Sequence, residues 1–169
     1  MKRLAVAGAL VVGLGVVAVA SGAWRAPRSV IEPVAFDHKL HIEKEDLECT
    51  ECHAGAEEGI HAGLPDIHEC ADCHDRAKGT HPDEPKVREF AEKDEQIPFV
   101  RVERLPGHVY FSHRVHVKLA GMECKECHGD VASRSEPIDA PVASLISMKQ
   151  CMACHREQHA SLECVACHK

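Results

Sequence analysis

VAFDHKLHIEKEDLECTECHAG, residues 34–55, and VYFSHRVHVKLAGMECKECHGD, residues 109–130, align without a gap at an offset of 75 residues. They share Val34/Val109, Phe36/Phe111, His38/His113, His41/His116 and a complete Cys-x-x-Cys-His. Each unit is therefore Phe-x-His-x-x-His, a short spacer, and a cysteine motif. Chance would not place two extra histidines identically, so the chain carries an internal duplication, with units over about 30–80 and 105–169.

All ten cysteines fall in such motifs, and none is left over. The five are Cys49-Thr-Glu-Cys52-His53, Cys70-Ala-Asp-Cys73-His74, Cys124-Lys-Glu-Cys127-His128, Cys151-Met-Ala-Cys154-His155 and Cys164-Val-Ala-Cys167-His168. Disulfides suit an exported chain, but a disulfide framework gives no reason for a histidine after every second cysteine. Structural zinc sites use Cys-x-x-Cys motifs in twos, and five is odd. The pattern is the attachment signature of covalent haem c: the two thiols form thioethers to the vinyl groups and the adjoining histidine reaches the iron. Five covalently bound haems are expected, with His53, His74, His128, His155 and His168 as proximal ligands.

The duplicated histidines His38, His41, His113 and His116 suit the opposite side of the iron. Residues three apart on a helical turn leave from nearly the same face, so each imidazole of a pair can serve a different, adjacent haem. Imidazole on both sides leaves iron low-spin and saturated, which suits electron transfer rather than substrate binding.

Composition agrees. In 169 residues there are only four Phe, one Tyr and one Trp, too few large side chains for an ordinary core. Five porphyrins would supply that apolar interior. A formal charge of -7 excludes nucleic acid as a partner, because phosphate binding needs a basic surface. Met1-Lys2-Arg3 followed by the uncharged stretch Leu4–Ala20 marks an export signal. Ala18-Val19-Ala20 fits a cleavage site, whereas the uncharged run continued to Trp24 is long enough to span a bilayer. A retained membrane anchor over residues 1–24 is expected, with residues 25–169 on the periplasmic side.

Between the second and third motifs, Pro85 suits a first helical position, and Val87, Phe90 and Ala91 give a narrow apolar stripe. A short amphipathic helix is predicted there, then extended chain from Ile97 to Pro106 and a polar loop over 133–143. Acidic residues cluster around the first unit and this helix, which is usually only a solvated face; with two propionates per haem added, the same region would suit docking of a basic partner. The last two motifs start only thirteen residues apart, at Cys151 and Cys164, so their haems are near neighbours. The fold class predicted is mostly α and irregular: a small multihaem cytochrome c fold organised around covalent haems, with an N-terminal hydrophobic helix.

The arrangement resembles the multihaem class III cytochromes c. That resemblance implies that His38 serves the haem of His53, His41 that of His74, His113 that of His128 and His116 that of His155. The fifth haem, on His168, needs another donor. Where the family places its remaining ligand, just before the second motif of a unit, this chain has Met148. Methionine is an accepted axial ligand that raises the potential. His159 is the main competitor, with His61, His68, His81 and His108 also available.

A closer resemblance runs from about residue 30 to the C-terminus. It is carried by PVAFDHKLH (33–41), AGLP (62–65), IPFVRVERLP (97–106), VYFSHRVH (109–116) and SMKQCMACHR (147–156). This is similar to the membrane-anchored multihaem cytochrome subunit of alternative complex III and of the menaquinone reductase (Qrc) complexes. It implies as partners an iron–sulfur/molybdoenzyme-like subunit, a polytopic quinone-binding subunit and a soluble periplasmic cytochrome or other carrier. The chain would pass electrons and hold no quinone chemistry itself. Two rivals stand beside this. A free-standing carrier, or a small membrane-anchored quinol dehydrogenase cytochrome, differs by purifying without a multisubunit complex. A multihaem reductase requires a haem with an open distal position, whereas here every motif ends in histidine and donors outnumber haems.

Overall fold

The computed structural model describes residues 30–141 and 146–169; the expected N-terminal hydrophobic helix lies outside the described residues. Among the described residues the chain is short helices joined by irregular segments, with no strand ladder beyond an isolated antiparallel bridge between Val109 and His168. No helix among them is long and apolar enough to cross a membrane. In chain order the helices are α1 (His38–Glu43), α2 (Cys49–Cys52), α3 (Gly55–Glu58), α4 (Ile67–His74) and α5 (Glu84–Glu92). A π-helical turn (Val115–Leu119), α6 (Cys124–His128), a 3-10 turn (Val131–Ser133), α7 (Met148–Glu157) and α8 (Cys164–Cys167) follow.

Helices of four or five residues do not pay for their own nucleation, so local devices must start them. The sequence supplies them just before the cysteines. The Glu48 N–H donates to the Glu51 carboxylate at 2.5 Å, Asp66 N–H to Glu69 at 3.0 Å and Glu123 N–H to Glu126 at 3.3 Å. Asp66 and Ser147 also cap α4 and α7, accepting from the backbone N–H of His68 and Gln150. Reciprocal capping of this kind fixes the first turn where the two thiols must share a face.

The small apolar centre lies in the first half. Val34, Ile67 and Val87 are buried, Ile67 at 1% exposure, and Phe90, Ala91, Ile97 and Phe99 pack around them. The predicted amphipathic helix is α5, and its stripe is turned onto α4 and this centre. It begins at Glu84, one residue before Pro85. The segment after it forms no extended ladder; Phe99 N–H turns back to the Ile97 carbonyl at 2.8 Å.

The duplication is visible as a reciprocal embrace. Lys39 N–H donates to the Arg134 carbonyl, and Arg114 N–H to the Gly59 carbonyl, each at 3.0 Å. Lys39 and Arg114 are repeat mates, as are Gly59 and Arg134, at the same offset of 75. The ligand-bearing turn of each unit thus packs on the segment that follows the cysteine motif of the other, α1 on the 3-10 turn and the π turn on α3. Two copies of one unit contacting each other through the same surface patch make an isologous, approximately two-fold arrangement within one chain.

The spacer shows a second correspondence. Asp46 and its mate Gly121 both take left-handed backbone, with φ of 58° and 66°. Glycine adopts this freely, but Asp46 carries strain. Asp46→Gly is expected to raise stability by about 0.5 kcal/mol, the strain of about 1–2 kcal/mol relieved less the larger chain entropy of glycine in the unfolded state. A higher denaturation midpoint of the haem-loaded protein, with unchanged visible spectrum, checks this.

Candidate functional site

In three of the expected ligand pairs the structure faces two imidazoles at one characteristic spacing. The ring centroids of His41 and His74 are 6.3 Å apart, those of His113 and His128 6.3 Å, and those of His116 and His155 6.1 Å. An imidazole–metal bond of about 2.0 Å on each side, plus about 1.1 Å from ring centre to ligating nitrogen, gives about 6.2 Å. The pairs therefore fit one metal atom between them. The fourth pair, His38 and His53, lies close enough that a charge on His53 would bear on His38.

Ring orientation is fixed from behind. Nδ1–H of His41 donates to the Asp37 carbonyl (2.8 Å), of His53 to Gly63 (2.8 Å), of His113 to Ile60 (3.0 Å), of His116 to Ser112 (2.9 Å) and of His155 to Ser161 (2.7 Å). A carbonyl can only accept, so the proton sits on Nδ1 and the Nε2 lone pair is free for iron. His74 reaches the Glu84 carboxylate instead, at 3.2 Å. His38 differs again: its Nδ1 is buried without a partner, and burial, with His53 next, lowers its pKa to about 4. Burial, then His113, likewise lowers that of His128. Both stay neutral at neutral pH, as a ligand must.

Two aromatic side chains complete the clamp. Phe36 stacks on His41 at 4.4 Å and meets His38 edge-on at 4.8 Å; Phe111 does the same to His116 at 4.4 Å and His113 at 4.9 Å. The phenylalanine of the repeated motif therefore holds both histidines that follow it. Its duplication at identical spacing was the signal for that role.

The same tautomer test sorts the spare histidines. His81 Nδ1 accepts from Asp83 N–H at 3.1 Å, which places its proton on Nε2. His68 turns Nε2 to Asp94 at 3.1 Å and is exposed. Beside His168 the structure places His108, with ring centroids 5.4 Å apart, and the His108 carbonyl accepts from His168 Nδ1–H at 3.3 Å. Nδ1 lies away from Nε2, so were His168 to hold an iron through Nε2, the His108 carbonyl would stand behind that ligand. Met148 opens α7 with its side chain largely exposed, and His159 follows that helix with φ of 54°.

Among the described residues no three His, Cys, Asp or Glu side chains converge as a zinc site requires. The cysteine motifs instead lie within electrostatic reach of one another. Cys70 is pushed up to about 11 by burial and then by Cys52. Cys124 is raised by burial and then by Cys49, its hydrogen-bond partner and repeat mate. Burial and then Cys151 and Cys154 raise Cys127; burial, and further on Cys167, raise Cys151. Such mutual influence links the motifs in the order Cys70/Cys73, Cys49/Cys52, Cys124/Cys127, Cys151/Cys154, Cys164/Cys167.

Residues 18–101 match the class III cytochrome c family, and residues 109–169 match cytochrome c7 and related cytochrome c. Paired cysteines, facing imidazoles and these matches define the class: a multihaem cytochrome c, carrying covalent haem c and transferring electrons. The chain is 32% identical over 186 aligned residues to the menaquinone reductase multihaem cytochrome c subunit of Nitratidesulfovibrio vulgaris Hildenborough, covering 94% of this chain and 88% of that protein. It belongs to the family of that subunit.

Proposed function

We propose that this chain is a pentahaem electron conduit on the periplasmic side of the cytoplasmic membrane, anchored by residues 1–24. Residues 25–169 form its haem-bearing body. It links a quinone-oxidoreductase complex of the alternative complex III or Qrc kind to periplasmic carriers. Its partners are an iron–sulfur/molybdoenzyme-like subunit, a polytopic quinone-binding subunit and a soluble cytochrome or similar carrier. The kinship with a menaquinone reductase subunit supports this setting.

The unbroken series of five attachment motifs is the observation that carries the reading. Cys124 meets Cys49 across the two units and Cys127 lies within electrostatic reach of Cys151 and Cys154, so a series with ends at Cys70/Cys73 and Cys164/Cys167 would suit a chain that serves two partners. The haem supplies reversible one-electron chemistry. His53, His74, His128, His155 and His168 would hold it together with the cysteines, and His38, His41, His113 and His116 would supply the second imidazole for four of the haems. Met148 is the proposed sixth ligand of the His168 haem, which would then have the highest potential and stand at the electron-accepting end or at the exit to a higher-potential carrier, depending on the partner.

Mass spectrometry of the native protein should find five haem masses and no free thiol, and purification should yield a multisubunit membrane complex containing the N-terminal peptide. Four haems, or a soluble single polypeptide, would overturn the count or the setting respectively. A near-infrared methionine–iron band should be present in the oxidised protein and vanish in Met148→Ala. If the wild type lacks it, His159 takes that place.

A further inference from the structure

Glu84 stands out among the groups behind the expected ligands. It lies in the first turn of α5, its side chain only 9% exposed, and accepts from three donors: His74 Nδ1–H at 3.2 Å, Lys78 N–H at 3.0 Å and the Arg88 guanidinium at 2.5 Å. Arg88 sits one turn further on and reaches both carboxylate oxygens. The position of the carboxylate is therefore set independently of His74. The other backed ligand histidines His41, His53, His113, His116, His155 and His168 all donate to neutral backbone carbonyls.

We propose that Glu84 is a positioning residue that lowers the reduction potential of the haem held by Cys70 and Cys73. The proposal rests on His74 being an axial ligand of that haem. An ionised oxygen draws the Nδ1 proton more strongly than a carbonyl does. Pulling that proton outward leaves more electron density on Nε2, raises the basicity of the ligand and favours ferric over ferrous iron. The repeat has no counterpart: the residue 75 positions after Glu84 would be His159, on a different element. The tuning therefore sets the haem held by Cys70 and Cys73 apart from those whose expected ligands are backed by backbone carbonyls.

The test uses the full haem-loaded protein and the potentials of its individual haems. His74→Ala first identifies the signal, because it should remove one low-spin ferric EPR species while leaving five haem masses. Glu84→Gln keeps an acceptor oxygen in place of the charge. Glu84→Asp keeps the charge but withdraws it by one methylene from Nδ1. Both should raise the potential of the haem identified by His74→Ala, with an about tenfold larger ratio of reduced to oxidised haem at fixed applied potential for Glu84→Gln, 59 mV for one electron. The g-spread of that same EPR species should change in both variants. If Glu84→Asp behaves as wild type while Glu84→Gln shifts, the effect is through-space charge and the proposal falls. It falls also if neither variant moves that haem. If His74→Ala leaves all five low-spin signals intact, the ligand reading itself is wrong.

Discussion

Cys124→Ala with Cys127→Ala is expected to remove one haem mass and to divide the remaining four into two pairs that exchange electrons slowly. Cys124 lies against Cys49, and Cys127 near Cys151 and Cys154, so this motif joins the first unit to the last two haems. After rapid injection of one electron, the wild type should equilibrate in a single phase. The variant should show a second phase at least tenfold slower, a barrier higher by about 1.4 kcal/mol. Cys164→Ala with Cys167→Ala also removes one haem, but from an end of the series. It should leave equilibration among the other four unchanged, which separates loss of a link from loss of a staple. Equal slowing in both variants would contradict the proposed order.

That order is not the order of the motifs along the chain. Sequence spacing suggests that the last two motifs are neighbours, and the Phe-x-His-x-x-His units tell which histidines belong together. What joins the two units is a tertiary contact between repeat mates, with Cys49 against Cys124 and Lys39 and Gly59 exchanging bonds with Arg134 and Arg114. A duplication in sequence permits such an arrangement but does not declare it, since the copies could equally lie side by side.

The expected ligands could be named from the sequence because chemistry restricts them: haem c attachment fixes cysteine spacing and the adjoining histidine. Three of the four expected histidine pairs stand at metal-bridging distance in the structure. The groups behind the ligands were not legible. Six of the acceptors are backbone carbonyls, of Asp37, Gly63, Ile60, Ser112, Ser161 and His108, and any residue type could supply them. His108 shows the same limit from the other side. It was a candidate ligand by residue type, and only the fold shows its carbonyl placed behind His168, where it would back an expected ligand. The π turn was hidden as well. His116 keeps the spacing of His41, yet its turn closes with Ala120 N–H on the Val115 carbonyl, one residue wider than Lys44 N–H on Leu40 in the first unit. The difference is absorbed by the next bond, where Leu47 and Met122 N–H return to His41 and His116 at 3.2 and 3.1 Å.

Adding a single methyl group at Gly55 should be more damaging than its size suggests. A Cβ there would collide with the His61 carbonyl and come within 2.8 Å of the Ala62 carbonyl. Both are backbone atoms, so the loop over residues 59–63 must move to make room. That loop carries three acceptors that hold ligand-bearing elements of both units. Gly63 receives His53 Nδ1–H, Ile60 receives His113 Nδ1–H, and Gly59 receives Arg114 N–H. Overpacking of this kind costs about 1–3 kcal/mol, and each hydrogen bond strained adds about 0.5–1.5 kcal/mol. Gly55→Ala should therefore lose about 3 kcal/mol of stability and show partial high-spin character at the haems of His53 and His128, whose ligand rings have lost their support. Gly121→Ala is the control. Its Cβ would meet nothing within 4 Å, so only the left-handed backbone at φ of 66° resists it. A loss of about 1 kcal/mol with fully low-spin haems is expected there. Denaturation midpoints and ferric EPR of the two loaded variants decide the matter. Equal losses, or low-spin spectra in both, would mean that the 59–63 loop does not fix the two histidines.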